Sequence, residues 1–222
     1  MMLPGYNEAR HEVRGAMLEV MRELSEANSR ALEAIESGDL EALGEARKPI
    51  IDIVERTEKI DNDIVLIFAK YTPEAKDLRE LVSDLKMTSS INRIRANINN
   101  YIKNMQSMLA ENDAEMSALI KESLSINRCT VNAFDFALEM LQCFDDNEKV
   151  QELATRIEVE YSKTDDIYSI LEKSIMQKMG SSHTVTEEYF NLLKYIRKNL
   201  KIIDRLESIC GRIMFARMGG KL

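Results

Sequence analysis

Apolar residues recur every three or four positions along almost all of this chain, the signature of helices that each bury one face. The first such stretch runs from about Tyr6 to Ser37, with Val13, Met17, Val20, Leu24, Ala31 and Ile35 on its stripe. Gly38 is placed to end it and Asp39 to cap the next helix. A second stretch, from about Leu40 to Tyr71, contains Pro49, which should kink the helix or split off a short leading piece. Thr72-Pro73-Glu74 then predicts a new helix start, with a capping hydroxyl, a proline in the first turn and an acid at the positive end of the dipole. That third helix is expected to reach about Glu111. A fourth covers about Ala114 to Phe144, a fifth about Glu148 to Met179, and a sixth runs from Thr184 or Thr186 to about Met218. Asn112-Asp113, Asp145-Asp146-Asn147, Gly180 to His183 and Gly219-Gly220 are the punctuation between and after them.

The second half of the chain repeats the first. Ser90 to Ile94 (SINRI) returns as Ile202 to Leu206 (IIDRL), an offset of 112 residues in a chain of 222. In the same register Leu78, Leu81, Ile91, Ile94, Ile98 and Tyr101 fall on Phe190, Leu193, Ile203, Leu206, Cys210 and Ile213, and Arg93 falls on Arg205. A fixed internal period sets the architecture. The expectation is an all-α fold of two tandem three-helix bundles, residues 1–111 and 112–222. Their six long helices should be antiparallel to their neighbours because the connections are short. Helices of about 30 residues are roughly 45 Å long.

Composition supports helix and narrows the function classes. Only 6% of residues are aromatic, with 8 Gly, 3 Pro and no Trp, whereas strand-rich domains need more of the β-branched, aromatic and turn-forming types. The net charge of −8 argues against a nucleic-acid binder. Cys129, Cys143 and Cys210 form no C-x-x-C pair and read as reduced core fillers. The opening MMLPGYNEARHEV holds no apolar run, so no secretion signal is expected, and no stretch approaches bilayer-spanning length. The expected location is the cytoplasm. His11 and His183 lack partner spacing, and no nucleophile arrangement, phosphate loop or zinc motif is present. The thirteen Met residues read as gap fillers, with a Met-lined partner groove as the sharper alternative.

At the third helix the sequence becomes specific. Pro73-Glu74-Ala75-Lys76-Asp77-Leu78-Arg79, then Leu85-Lys86 and Ile91-Asn92-Arg93-Ile94, resembles the PhoU family of bacterial phosphate-uptake regulators. Glu58-Lys59-Ile60-Asp61 looks like that family's acidic motif on the preceding helix. Lys163 to Tyr168, Leu200 to Ile213 and the closing Ile213 to Gly219 resemble the second copy and the family ending. The resemblance covers nearly the whole chain and implies a helical regulator whose carboxylates, four residues apart on one helix face, hold metal. By that alignment Glu58, Asp61, Asp165 and Asp204 remain as candidate metal ligands. Asn92, Ala96, Tyr161 and Ser208 stand where the family has the other four acids. Charge count governs affinity for an oxygen-ligated cation. The resemblance therefore implies no required cofactor and leaves room for one weakly held divalent ion, Mg²⁺, iron or zinc. Asp204 with Arg205 also reads as an ion pair buried among Ile202, Ile203, Leu206 and Ile209. Arg93 and Arg205 read as structural partners of acids, with phosphate binding as the alternative.

Three functions are compatible with these residues. The first, implied by the resemblance, is a non-enzymatic adaptor that restrains phosphate uptake and signalling by binding a phosphate ABC transporter ATPase, a sensor histidine kinase, or both. The second is a divergent helical scaffold serving another transporter such as a sodium–phosphate cotransporter. The third is a metal-dependent helical hydrolase, which the four missing acids oppose. A homodimer is expected from leftover apolar stripes, no nucleic acid is expected, and membrane proximity is expected only through partners.

Overall fold

The computed structural model describes residues 5–73, 75–111, 114–181 and 186–220. They form α1 (Tyr6–Ser37), α2 (Leu40–Glu45), a single 3₁₀ turn (Lys48–Ile50), α3 (Ile53–Tyr71), α4 (Ala75–Ala110), α5 (Ala114–Gln142), α6 (Asn147–Ser181) and α7 (Thr186–Met218). The fold is all-α, as the periodicity predicts.

Local chemistry sets the boundaries. Gly38 ends α1 in the left-handed conformation at φ 75°, where a side chain would be strained. The Asp39 carboxylate accepts the Ala42 N–H at 2.9 Å and opens α2. Pro49 lies in the 3₁₀ turn and divides the second helix, because it lacks the N–H that an uninterrupted helix would use. Thr72 closes α3 with φ 46°. Glu74 lies outside the described residues, and α4 is described from Ala75. Asp146 caps α6 by accepting the Lys149 N–H at 3.0 Å. α6 continues through Gly180 instead of breaking there. Ser182, His183 and Thr184 lie outside the described residues.

Side-chain pairs fix the directions. α3 runs antiparallel to α1, with Arg56 on Glu23 at 2.5 Å. It is also antiparallel to α4, with Thr57 on Asn92 at 2.9 Å and Thr88 on Asp61 at 2.6 Å. In the second half, α5 and α6 are joined by Lys149–Glu139 and Lys178–Glu115. α6 and α7 are joined by Arg197–Glu172 at 2.9 Å and Gln151–Met218.

The most extensive packing in the molecule is between α4 and α7, one helix from each half. Arg217 approaches Glu80 at 3.6 Å at one end of this seam. Tyr101 and Asn199 meet through hydrogen bonding further along it. α4 and α7 are therefore antiparallel, and Arg93 and Arg205, the repeated arginines, sit at the same level on neighbouring helices. One hydrophobic cluster runs through both halves, from Val13 and Leu24 to Ile203 and Ile213. Of the repeat-matched apolar pairs all are buried except the outermost, Leu78 and Phe190, which are 43% and 61% exposed.

Candidate functional site

The acid positions inherited from the resemblance lie where α3 meets α4 and where α6 meets α7. In the first half, Glu58 is exposed. Asp61 is occupied by the Thr88 hydroxyl, which also lies 2.7 Å from the Leu85 carbonyl. Asn92 is bonded to buried Thr57, so an amide and a hydroxyl stand at the helix contact where the family has a carboxylate. In the second half, Asp165 and Asp204 are close enough to influence one another. Burial raises the Asp204 carboxyl above its usual range, with Asp165 adding to the effect and Arg205 opposing it. Tyr161 stands beside both acids, and its hydroxyl is raised first by Asp204, then by burial and by Asp165. Thr164, the counterpart of Thr57, is buried and bonds back to the Tyr161 carbonyl at 2.6 Å. Among the described residues, no three His, Cys, Asp or Glu side chains gather as a metal ion requires. The donor set does not fit a multinuclear metal cluster.

Among the described residues the expected buried Asp204–Arg205 ion pair is not formed, although Arg205 is near enough to pull on the Asp204 carboxyl. Asp204 is exposed as a residue, with its carboxyl only partly sheltered against α6, because Ile202, Ile203, Leu206 and Ile209 turn to the core while position 204 lies on the opposite side of the helix. Arg93 is exposed and, among the described residues, makes no ion pair with an acid.

The strongest electrostatic feature lies elsewhere. Glu80 is fully buried on α4, between Arg10 at 2.8 Å, Arg14 at 3.3 Å, Arg217 at 3.6 Å and Lys76 at 3.8 Å. Phe144, in the turn between α5 and α6, packs against two of these guanidinium groups. Arg14 lies 3.6 Å and Arg217 5.1 Å from its ring centroid. Arg217 also reaches Asp145 at 2.7 Å. This knot ties α1, α4, the α5–α6 turn and the end of α7 together. One turn further along α4, Asp84 is 1% exposed and, among the described residues, neither of its carboxylate oxygens has a hydrogen-bond partner. Burial, then Glu80, push its pKa up to about 7, against the pull of Arg14 and Arg10. Sequence reading missed both acids, although a signal was present: Glu80 and Asp84 stand four apart on the apolar stripe of Leu81 and Met87.

A second polar layer crosses the middle of the seam. The Tyr101 hydroxyl donates to Asn127 Oδ1 at 2.8 Å, the Asn199 amide donates to the same oxygen, and Thr130 lies 3.1 Å from Asn199 Oδ1. All four residues are buried. They specify how α4, α5 and α7 are aligned, because any slip would strand buried polar atoms.

These features define a class of protein: one three-helix unit used twice, with the two copies fused along a polar seam. Residues 17–105 match the family model of the PhoU domain. The whole chain is similar in fold to PhoU from Pseudomonas aeruginosa, with a TM-score of 0.83 at 18% identity, covering 95% of this chain and 98% of that one. It is similarly close to the phosphate transport system regulatory protein PhoU from Streptococcus pneumoniae, with a TM-score of 0.81 at 19% identity, covering 98% and 99%. A putative PhoU-like phosphate regulatory protein from Shewanella oneidensis matches with a TM-score of 0.64 at 13% identity, covering 91% and 94%. No curated protein matches by sequence. The chain therefore carries a PhoU domain over residues 17–105 and shares the fold of solved PhoU proteins along nearly its whole length.

Proposed function

We propose that this chain is a regulatory adaptor of phosphate uptake that works by binding other proteins and performs no covalent chemistry. The observation that carries the reading is the fold match over essentially the whole of both chains to a protein named as a phosphate transport system regulator. The site supports it. The acid positions hold hydroxyl–amide and hydroxyl–carboxylate bonds between helices, which stiffen a scaffold. The partners that fit are the ATPase of a phosphate ABC transporter and its sensor histidine kinase.

The loss of acids at Asn92, Ala96, Tyr161 and Ser208 favours one second reading, a divergent member serving a different phosphate transporter. Affinity capture from phosphate-replete cells separates the two. Recovery of the import ATPase or the kinase is the expected result, and recovery of a sodium–phosphate cotransporter without either would replace it. We also propose that any divalent ion is held weakly through Asp165 and Asp204. Elemental analysis after metal loading and desalting is expected to find less than about one ion per chain, because affinity scales with the number of charged ligands.

A further inference from the structure

The seam between the halves carries a charge pattern that the adaptor reading does not use. α4 and α7 together contain thirteen Lys and Arg against seven Asp and Glu, while the rest of the chain has seventeen against thirty-one. Eight of the thirteen are Arg79, Lys86 and Arg93 on α4, with Lys194, Lys198, Lys201, Arg205 and Arg212 on α7. At 100° per residue each set falls on a single stripe of its helix. The opposite flanks are occupied. On α4, Thr88 and Asn92 face α3, and on α7, Arg197 faces α6 and Asp204 lies on that same flank. The two basic stripes therefore border the shared seam on its solvent side. All eight side chains are exposed or half-buried. Among the described residues none of the eight is ion-paired, although Arg10, Arg14, Arg56, Lys178, Arg197 and Arg217 all are. Few acids interrupt the face: Glu80 and Asp84 point into the core and Glu207 sits on the other side of α7, while Asp204 edges the stripe beside Lys201 and Arg205, and exposed Glu187 lies at one end, beyond Lys194.

The internal repeat adds two details. Lys86 corresponds to Lys198 and Arg93 to Arg205, so the middle of the basic face repeats between the halves, while Arg79, Lys194, Lys201 and Arg212 have no basic counterpart. Leu78 corresponds to Phe190, the only matched apolar pair that stays exposed, and the antiparallel seam places these two side chains at its opposite ends. The face is thus a field of cations, with Lys194 to Arg212 extending about 27 Å, and an exposed apolar residue at each end.

We propose that the solvent side of the α4–α7 seam is a docking surface for an anionic lipid bilayer. The charge is predominantly positive and spread over a surface, which matches a plane of acidic headgroups. A specific protein interface is depleted in Lys and has an apolar centre, which this face lacks. A second copy of the chain is excluded by symmetry, since the same face would set eight cations against eight. The molecule's net charge of −8 does not oppose binding, because screening over roughly 8 Å confines the interaction to the groups nearest the membrane. Leu78 and Phe190 would insert at the headgroup boundary, as apolar residues do on amphipathic interfacial surfaces. No helix among the described residues is long and apolar enough to cross a membrane, so the contact is peripheral.

Co-sedimentation of the full chain with vesicles tests this. Binding is expected to phosphatidylcholine vesicles containing a quarter phosphatidylglycerol at low salt, with release at high salt and none to phosphatidylcholine alone. Each cation near such a surface contributes about fivefold. Lys86→Glu with Lys198→Glu should therefore weaken binding at least about 25-fold, while Lys48→Glu with Lys70→Glu, away from the seam, should leave it nearly unchanged. Leu78→Ser with Phe190→Ser should weaken vesicle binding but not binding to heparin, a soluble polyanion. Circular dichroism melts of each variant confirm that the fold is retained. The proposal is overturned by an absence of vesicle binding, by equal loss in the control pair, or by heparin binding with no effect of the serine pair on vesicles. Failure here leaves the adaptor reading intact, since that rests on protein capture.

Discussion

Asp84 shows how much one buried carboxylate can alter the pH response of a whole bundle. Among the described residues its oxygens have no hydrogen-bond partners, the nearest cations are engaged by Glu80, and its pKa is raised from 3.8 to about 7. A raised carboxyl pKa in the folded state means that the protein holds this proton more tightly than the unfolded chain does. The associated stability is fully present below about pH 3.8 and is lost as pH climbs through about 7. Asp84→Asn should therefore raise stability at pH 8 by on the order of 1–3 kcal/mol. Chemical denaturation at pH 8, 6 and 4 should show the gain shrinking steadily as pH falls. Burial acts in the same direction on two thiols elsewhere in the bundle. Burial holds Cys129 near 11 and Cys210 near 12, so neither should react with a thiol reagent at pH 8 in the folded protein.

Elements in this chain are bounded by short-range chemistry, and their responses to mutation should be correspondingly local. Asp39→Ala removes the acceptor for the Ala42 N–H and should cost about 1 kcal/mol in thermal or urea unfolding. α2 is held in place by more than its cap, however. The Gln106 side chain donates to the Leu40 carbonyl at 2.8 Å, and a Cβ added at Gly44 would lie 2.8 Å from that same amide nitrogen. Gly44→Ala should displace Gln106 and free the end of α2, detectable as faster amide exchange over Leu40–Glu45 with α1 unchanged. Pro49 is the reason this short helix exists as a separate piece.

At the scale of the molecule, the halves are joined by two polar layers and a common apolar core. Asn199→Leu would leave Thr130 and the Asn127 oxygen with lost partners in a buried site. It should cost about 1–3 kcal/mol and loosen α7 against α4 and α5, measurable as a lower denaturation midpoint. The helices, the break at Pro49 and the two-fold repeat were legible from periodicity, because a helix's buried face writes its own spacing into the chain. Asp204 was not legible, since an acid amid isoleucines looks buried until the helix phase assigns its side. Glu80 and Asp84 were overlooked for the converse reason: acids on a long charged helix look solvated until a neighbouring element covers them.

The sequence by itself determined which segments are helices, that one unit is used twice, and which family the chain resembles. Those depend on spacing within twenty or thirty residues, or on direct self-comparison. Only the tertiary structure decided which charges meet. A net charge of −8 read along the chain suggests an acidic surface, yet antiparallel packing of α4 on α7 gathers cations from residues 79 to 212 onto one face. It also draws Arg10, Arg14 and Arg217 onto a single buried glutamate. Electrostatic energy depends on separation in space, and residues more than a hundred positions apart carry no mark of their neighbours until the helices pack.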